Sequence, residues 1–339
     1  MKAASLLCCA AVIASAQVKE FISLDMPTPA CHASTVVELS SGDLLAAWFG
    51  GTKEGAPDVA IWMSRRTANG WSTPQEASRE PQVATYNPVL FHSADGLLWL
   101  YYKLGNSPSS WSAARELSRD EGANWSAVEH LPAGLYGPIR TKPLLLRNGT
   151  ILSGTSVESY GTWACWIERS TDNGKSWSRI GPIAAPPSLA SRPAHPGEPY
   201  GIIQPSLLDM GNGHIRLYAR STRSIARICQ SDSFDEGLTW SPVKPTELLN
   251  PNSGIDAIRL PDGRFVMIYN KSESSRTPLD LAVSADGERW QDFYTLENDP
   301  GEYSYPALIQ ARDGDLLMTY TWNRKRIRFV RFPLSLVPR

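Results

Sequence analysis

The stretch Gln204–Trp240, QPSLLDMGNGHIRLYARSTRSIARICQSDSFDEGLTW, decides the fold. It opens with an apolar run, turns at Gly211-Asn212-Gly213 and continues in a second apolar run that ends at Arg220. An N-G turn between two apolar runs is the strongest short-range signal for a β-hairpin. The stretch closes on the pattern S-x-D-x-G-x-x-W, from Ser233 through Asp235 and Gly237 to Trp240. This is a second tight turn: the Asp side chain accepts turn N–H groups, the Gly takes a positive φ, and the Trp packs on the strands below.

Both halves recur along the chain. The hairpin pattern returns as ASTVVELSSGDLLAAWF from Ala33, NPVLFHSADGLLWLYYK from Asn87 and KPLLLRNGTILSGTS from Lys142. It returns again as DAIRLPDGRFVMIYN from Asp256 and YPALIQARDGDLLMTYT from Tyr305. The turn glycines Gly42, Gly96, Gly149, Gly213, Gly263 and Gly314 follow one another at intervals of 50 to 64 residues. The Asp-containing turn returns at Ser118–Trp125 and Ser170–Trp177, one residue short at Ser284–Trp290, and worn at Arg66–Trp71. Repeats of about 50 residues built from hairpins are the signature of propeller blades. Six in-phase repeats predict an all-β fold, a six-bladed β-propeller, in a single domain over residues 17–339. Lys19–Leu24 is expected to supply the outer strand of the last blade, pairing the chain ends and removing sheet edges.

Composition narrows the function. Of 339 residues 42% are hydrophobic, enough for a large core and too many for a disordered chain. The net charge of −1 argues against nucleic-acid binding, which calls for a clear basic excess. After residue 16 no apolar run is long enough to span a membrane. Residues 1–16, MKAASLLCCAAVIASA, have the basic start, apolar centre and A-x-A end of a signal peptide, so the chain is expected to be secreted or periplasmic. Cys31, Cys165 and Cys229 form neither a zinc pattern nor a disulfide framework, and the scattered histidines have no metal spacing. Neither metal nor organic cofactor is implied.

In a propeller the first strand of each blade lines the axis, and its entrance residues face one pocket. Those positions hold His32, Asn87, Lys142, Gln204, Asp256 and the cluster Glu302-Tyr303-Ser304-Tyr305. Together they outline a polar pocket.

The Asp-boxes, in phase with six hairpins, resemble those of the sialidase (neuraminidase) superfamily over essentially all of residues 20–335. The resemblance implies exo-hydrolysis of a terminal acidic sugar, with sialic acid the first expectation and an acidic glycan as partner. Sialidases grip the substrate carboxylate with three arginines, whose planar forks suit bidentate bonds. By the resemblance, Arg220 and Arg276 are two of them. The third position, in the entrance to blade one, holds His32. The Y-S-x-L segment of the family matches Tyr303-Ser304-Tyr305-Pro306-Ala307-Leu308 loosely, which puts Tyr303 in the nucleophile position. A tyrosine nucleophile departs from the two-carboxylate scheme of most glycosidases and needs a base. The family's base is a Glu, and this chain has Gln204 there. Glu198 and Asp256 are the expected substitutes, ahead of Glu302. The acid/base Asp of the family falls on Asp58, in the glycine-rich loop Gly50–Asp58. Lys53 of that loop would add charge near the substrate anion. Trp322 and Arg324 would stack on a sugar ring and bind its anion, and Arg140 would meet a second acidic group.

The departures at His32 and Gln204 leave two other readings open. One is a propeller enzyme cleaving a uronic-acid-containing polysaccharide by hydrolysis or elimination. The other is a non-catalytic propeller that binds acidic glycans.

Overall fold

The computed structural model describes residues 17–193 and 197–339. The expected signal peptide at 1–16 lies outside the described residues.

The described chain is built almost wholly of strands, with three short 3-10 turns. The strands fall into antiparallel groups that follow the repeats, each with four main strands. The first group is Ala30–Glu38, Leu44–Gly51, Ala60–Thr67 and Gln75–Ser78, with the two-residue Gly70–Trp71 also paired to Ala60–Thr67. The second is Thr85–His92, Leu98–Leu104, Ser112–Ser118 and Glu129–His130. The third is Leu144–Leu145, Ile151–Ser159, Thr162–Ser170 and Ser178–Ile183. The fourth is Tyr200–Gly211, His214–Ser221, Arg227–Ser233 and Lys244–Leu249. The fifth is Asp256–Arg259, Phe265–Asn270, Leu279–Ser284 and Gln291–Glu297. In the sixth, Tyr303–Gln310, Leu316–Trp322 and Arg326–Phe332 are joined by Val18–Phe21 from the other end of the chain. That pairing, Val18 opposite Arg331 and Phe21 opposite Arg328, covers an edge that would otherwise be open. Groups three and four are also linked by a short parallel contact, Thr162 to Tyr200 and Trp163 to Gly201.

Local chemistry explains the hairpins. All six turn glycines have φ between 77° and 98°. At Gly42, Gly96, Gly149 and Gly263 a Cβ would meet nothing within 4 Å, so backbone conformation rather than space selects glycine. The Asp-boxes are hydrogen-bonded turns. Asp172 accepts the N–H of Lys175 (3.1 Å) and Ser176 (2.9 Å) and the hydroxyl of Ser170 (2.8 Å), whose Oγ accepts the Gly174 N–H (2.8 Å). The boxes at Asp120 and Asp235 repeat the central bonds.

The core lies between neighbouring groups. Leu317, Phe329, Trp48 and Val36 fill the space between the sixth and the first. Leu45, Phe49, Leu90 and Tyr102 join the first and second. Leu152, Ile167, Ile215 and Leu217 join the third and fourth. Tyr218, Ile228, Met267 and Tyr269 join the fourth and fifth, and Leu281, Ile268, Met318 and Tyr320 the fifth and sixth. Groups two and three meet through polar contacts: Arg115 donates to the Gly174 carbonyl (2.8 Å), and Glu168 accepts the N–H of Tyr136 and Gly137 (both 2.7 Å). Buried Lys103 nearby donates to the Pro138 carbonyl (2.9 Å). Cys31, Cys165 and Cys229 are free and buried. No helix among the described residues is long and apolar enough to cross a membrane.

Candidate active site

The site is shaped by one local device used four times. The ladder between the first two strands slips at His32/Thr35, Tyr86/Val89, Ile203/Ser206 and Ser304/Ala307. Inside each slip sits a non-glycine residue with positive φ: Ala33 (52°), Asn87 (44°), Gln204 (56°) and Tyr305 (53°). A β-bulge bends its strand and re-aims a side chain, and bulges gather beside active sites. Proline follows in three of the four, at Pro88, Pro205 and Pro306.

The bulges bring Gln204 and Tyr305 together. The Tyr305 Oη accepts hydrogen bonds from an Arg220 guanidinium nitrogen (2.8 Å) and from Gln204 Nε2 (3.1 Å). The same Arg220 nitrogen donates to Gln204 Oε1 (3.2 Å). Guanidinium carbons of Arg140, Arg220 and Arg276 lie 5.4, 5.7 and 5.7 Å from the Tyr305 ring centre. Asn252 ties two of these arginines: its Oδ1 accepts from Arg220 Nε (2.6 Å) and its carbonyl from Arg276 (3.4 Å). Arg276 also donates to Glu302 (2.8 Å). Arg324 donates through Nε to both Glu302 oxygens (3.0 Å each) and pairs with Glu54. Arg324 stands with Asn323 in a tight turn, both at positive φ (54° and 51°). Such a conformation is uncommon for non-glycine residues and points to a role.

A cavity of about 450 Å³ opens on this network, lined by Trp163, Asn252, Arg276, Glu302 and Arg324, with Glu198 at its wall. A second, of about 290 Å³, is lined by His32, Phe49, Lys53, Glu54 and Arg324. Arg324 borders both. Tyr305 and Arg220 lie behind this surface, 9% and 7% exposed.

Charge is distributed unevenly. Glu302 is held below the usual carboxylate range: burial pushes it up, but the Arg324 hydrogen bond and the charges of Arg276 and Arg324 outweigh that. His32 is fully enclosed, and burial together with Arg324, Arg276, Arg140 and Arg220 holds its imidazole well below 6.5, hence neutral. Its Nδ1 meets Thr321 Oγ1 at 2.9 Å, and its ring lies 4.2 Å from that of Tyr305. His32 therefore brings no positive charge to the position at which the resemblance implies an arginine in the family; Arg324 brings it from the turn after Leu316–Trp322.

Tyr303 is not brought to the cluster. It is 2% exposed and packs between the fifth and sixth groups with Leu279, Leu308, Tyr320 and Val330. The bulge after Ser304 is the reason: it sends Tyr303 into the inter-sheet core and Tyr305 to the arginines. Glu302, ranked behind Glu198 and Asp256 as the substitute base, lies in the cavity. Asp256 is fully committed below it. It accepts from Ser206 (3.0 Å), from the N–H of Ala257 (3.0 Å) and from the N–H of Leu308 (2.9 Å). Burial raises its carboxyl despite Arg140 and Lys142 nearby. Arg140 is buried and donates to the Pro306 carbonyl. Burial also lowers Lys142 to about 8, while its Nζ donates to Thr35 (2.9 Å). Asn87 donates to the Ile139 carbonyl (3.1 Å), a contact between groups rather than with the arginines. Asp58 is exposed; Thr52 binds its carboxylate through N–H (2.9 Å) and hydroxyl (2.6 Å), which hold it ionised. Trp322 packs edge-on against Phe21 (5.3 Å) instead of facing either cavity.

Asn252, Trp163 and Glu54 were not foreseen. Asn252 lies in a loop and Trp163 on the third strand of its group, away from the first-strand entrances, and Glu54 lies in the Gly50–Asp58 loop, where Lys53 and Asp58 alone were expected to act.

Comparison with known proteins fits this architecture. A family profile described as BNR repeat-like domain matches residues 42–318. No match is found among curated protein sequences. Among solved structures, the chain is similar to the K499G mutant of NanB sialidase from Streptococcus pneumoniae (TM-score 0.71, 14% identity, 92% of this chain and 69% of that one). It is likewise similar to the leech intramolecular trans-sialidase (0.72, 13%, 91% and 69%). A protein of unknown function from Dyadobacter fermentans scores 0.74 at 16% identity, covering 90% of this chain and 94% of that one. The chain belongs to the BNR repeat-like domain family, and its fold is that of the sialidase superfamily.

Proposed function

We propose that the chain is a secreted exo-glycosidase that releases a terminal sialic acid, or a related acidic sugar, from glycans. Its six strand groups are the blades of a six-bladed propeller, with Val18–Phe21 closing the ring and the cluster lying at the axis. The observation that carries the proposal is the phenol of Tyr305, held by Arg220 and Gln204 and surrounded by arginines. Arg220, Arg276 and Arg324 bind the sugar carboxylate; guanidinium forks are suited to this, and burial strengthens each bond. Tyr305, rather than Tyr303, is the nucleophile. A neutral phenol approaches an anionic sugar without the repulsion a carboxylate would meet, and charge developing on its oxygen is met by the two N–H donors already in place. Asp58 supplies and recovers the leaving-group proton once the Gly50–Asp58 loop closes and frees it from Thr52.

The test is release of 4-methylumbelliferone from its α-sialoside, run beside the matching glucuronide. Turnover of the sialoside with retained anomeric configuration supports the reading. Turnover of the glucuronide alone, or an unsaturated product, moves the activity to a uronic-acid linkage. Binding of both sugars without turnover leaves a glycan-binding propeller.

A further inference from the structure

A phenol needs a proton acceptor to become a nucleophile, and the Tyr305 Oη contacts are two donors. Gln204 cannot take the proton. Its amide orientation is fixed, because Arg220 donates to Oε1 and Nε2 therefore faces the phenol. Of the carboxylates expected to stand in, Asp256 is engaged by Ser206 and two backbone N–H groups, Glu302 by Arg276 and Arg324, and Glu198 has an interaction of its own.

Among the described residues, a carboxylate near the cluster is uncommitted. Glu158 is the penultimate residue of the strand Ile151–Ser159 of the third group. Two residues earlier, Ser156 Oγ accepts the backbone N–H of Gln204 (3.3 Å), and residues i and i+2 of a strand share a face. Glu158 therefore stands on the face that carries Gln204, one step further along. Its cross-strand partner is Trp163, which lines the large cavity and has the Arg220 guanidinium 5.9 Å from its ring. Arg220 thus has Tyr305 on one flank and Glu158 with Trp163 on the other. The Glu158 carboxylate makes no hydrogen bond or ion pair among the described residues, although the charges of Arg220 and Glu54 reach it. Burial raises its carboxyl above 4.5, Arg220 opposing and Glu54 assisting, which makes it a stronger base than a solvated glutamate.

We propose that Glu158 is the proton acceptor for Tyr305, supplying from the third strand group the carboxylate that position 204 lacks. This rests on Tyr305 as nucleophile. The Oη proton passes to Glu158 through a bridging water as the Oη–anomeric carbon bond forms. The glycosidic C–O bond breaks, and its electron pair goes to the leaving oxygen, which takes the proton of Asp58. In the second half water attacks the anomeric carbon and gives its proton to Asp58, while the phenol oxygen leaves and recovers its proton from Glu158.

The experiment compares wild type, Glu158→Gln, Glu158→Ala, Glu158→Asp and Tyr305→Phe on 4-methylumbelliferyl α-sialoside, with thermal unfolding of each. Glu158→Gln is expected to lose about 10²–10⁴-fold in kcat with KM little changed, the usual contribution of a general base. The acidic limb of the kcat profile should vanish with it. Formate should restore part of the turnover of Glu158→Ala and none to Tyr305→Phe, a rescue that a structural role does not give. Glu158→Asp keeps the acidic limb at lower kcat, and it decides the matter should the other two variants not fold. Glu158 variants within about threefold of wild type, acidic limb intact, beside an inactive Tyr305→Phe overturn this inference alone. An active Tyr305→Phe, or an inactive wild type, overturns the reading beneath it as well.

Discussion

Paired substitutions at the two tyrosines of the last hairpin separate the geometry from the sequence comparison. Tyr305→Phe removes two hydrogen bonds from Oη, one from Arg220 at 2.8 Å and one from Gln204 at 3.1 Å. A bond to a charged group contributes about 1.5–3 kcal/mol and a neutral one about 1 kcal/mol. Arg220 keeps its bonds to Gln204 Oε1 and Asn252, so the net loss should be about 2 kcal/mol, a Tm lower by a few degrees. The kinetic effect is far larger. Losing the nucleophile should lower kcat at least about 10³-fold, equivalent to about 4 kcal/mol of barrier. Tyr303→Phe behaves otherwise. Its hydroxyl makes no hydrogen bond among the described residues and its ring is held by apolar neighbours, so turnover should stay within about threefold of wild type. Fluorogenic sialoside hydrolysis and thermal unfolding of the two variants measure both effects. An inactive, fully stable Tyr303→Phe beside a fully active Tyr305→Phe would refute the argument and return the nucleophile to Tyr303.

Arg324→Gln frees Glu302 and Glu54 of their shared partner; KM for an acidic sugar should rise about tenfold or more with a smaller change in kcat, and steady-state kinetics on the sialoside measure the split. His32 is held neutral in the native state but takes a proton near pH 6.5 when unfolded. The unfolded chain then binds more protons, so stability should fall as pH drops through about 6.5. Urea unfolding at pH 7.5 and 5.5 should show this loss in wild type, and a smaller loss in His32→Asn. Asp235→Ala removes the acceptor for Ser233, Leu238 and Thr239 and should lower Tm without affecting KM. In the native state burial raises the Asp235 carboxyl, but the Thr239, Ser233 and Leu238 bonds bring it down to about 2 from 3.8. Its contribution is therefore complete above pH 3.8 and is lost as pH falls toward 2, and acid unfolding of the variant should lack that component.

The hairpins were legible because each is written in a few consecutive residues: apolar alternation, an Asp or Asn, and a glycine that the structure finds at positive φ in all six repeats. The site was harder, because a bulge breaks the alternation on which inference from a strand depends. Counting by twos puts Tyr303 and Tyr305 on one face; the slip between Ser304 and Ala307 separates them. A signal was nonetheless present. The repeats begin Asn87-Pro88, Gln204-Pro205 and Tyr305-Pro306, so Tyr305 was in phase with Gln204 from the start, and the weaker likeness at Tyr303-Ser304 outweighed it. Arg220 and Arg276 were found through the resemblance, in which one arginine ends a hairpin and the next precedes a strand that runs into an Asp-box. Glu158 carried no such mark. It sits near the far end of a second strand, and its place depends on Ser156 meeting the Gln204 backbone 48 residues away. A pocket shared by repeated sheets takes its walls from first strands, whose positions repeat, and its chemistry partly from hairpin ends, whose positions do not. A substitution such as Gln at 204 is therefore most readily offset from a neighbouring sheet, where sequence periodicity gives no warning.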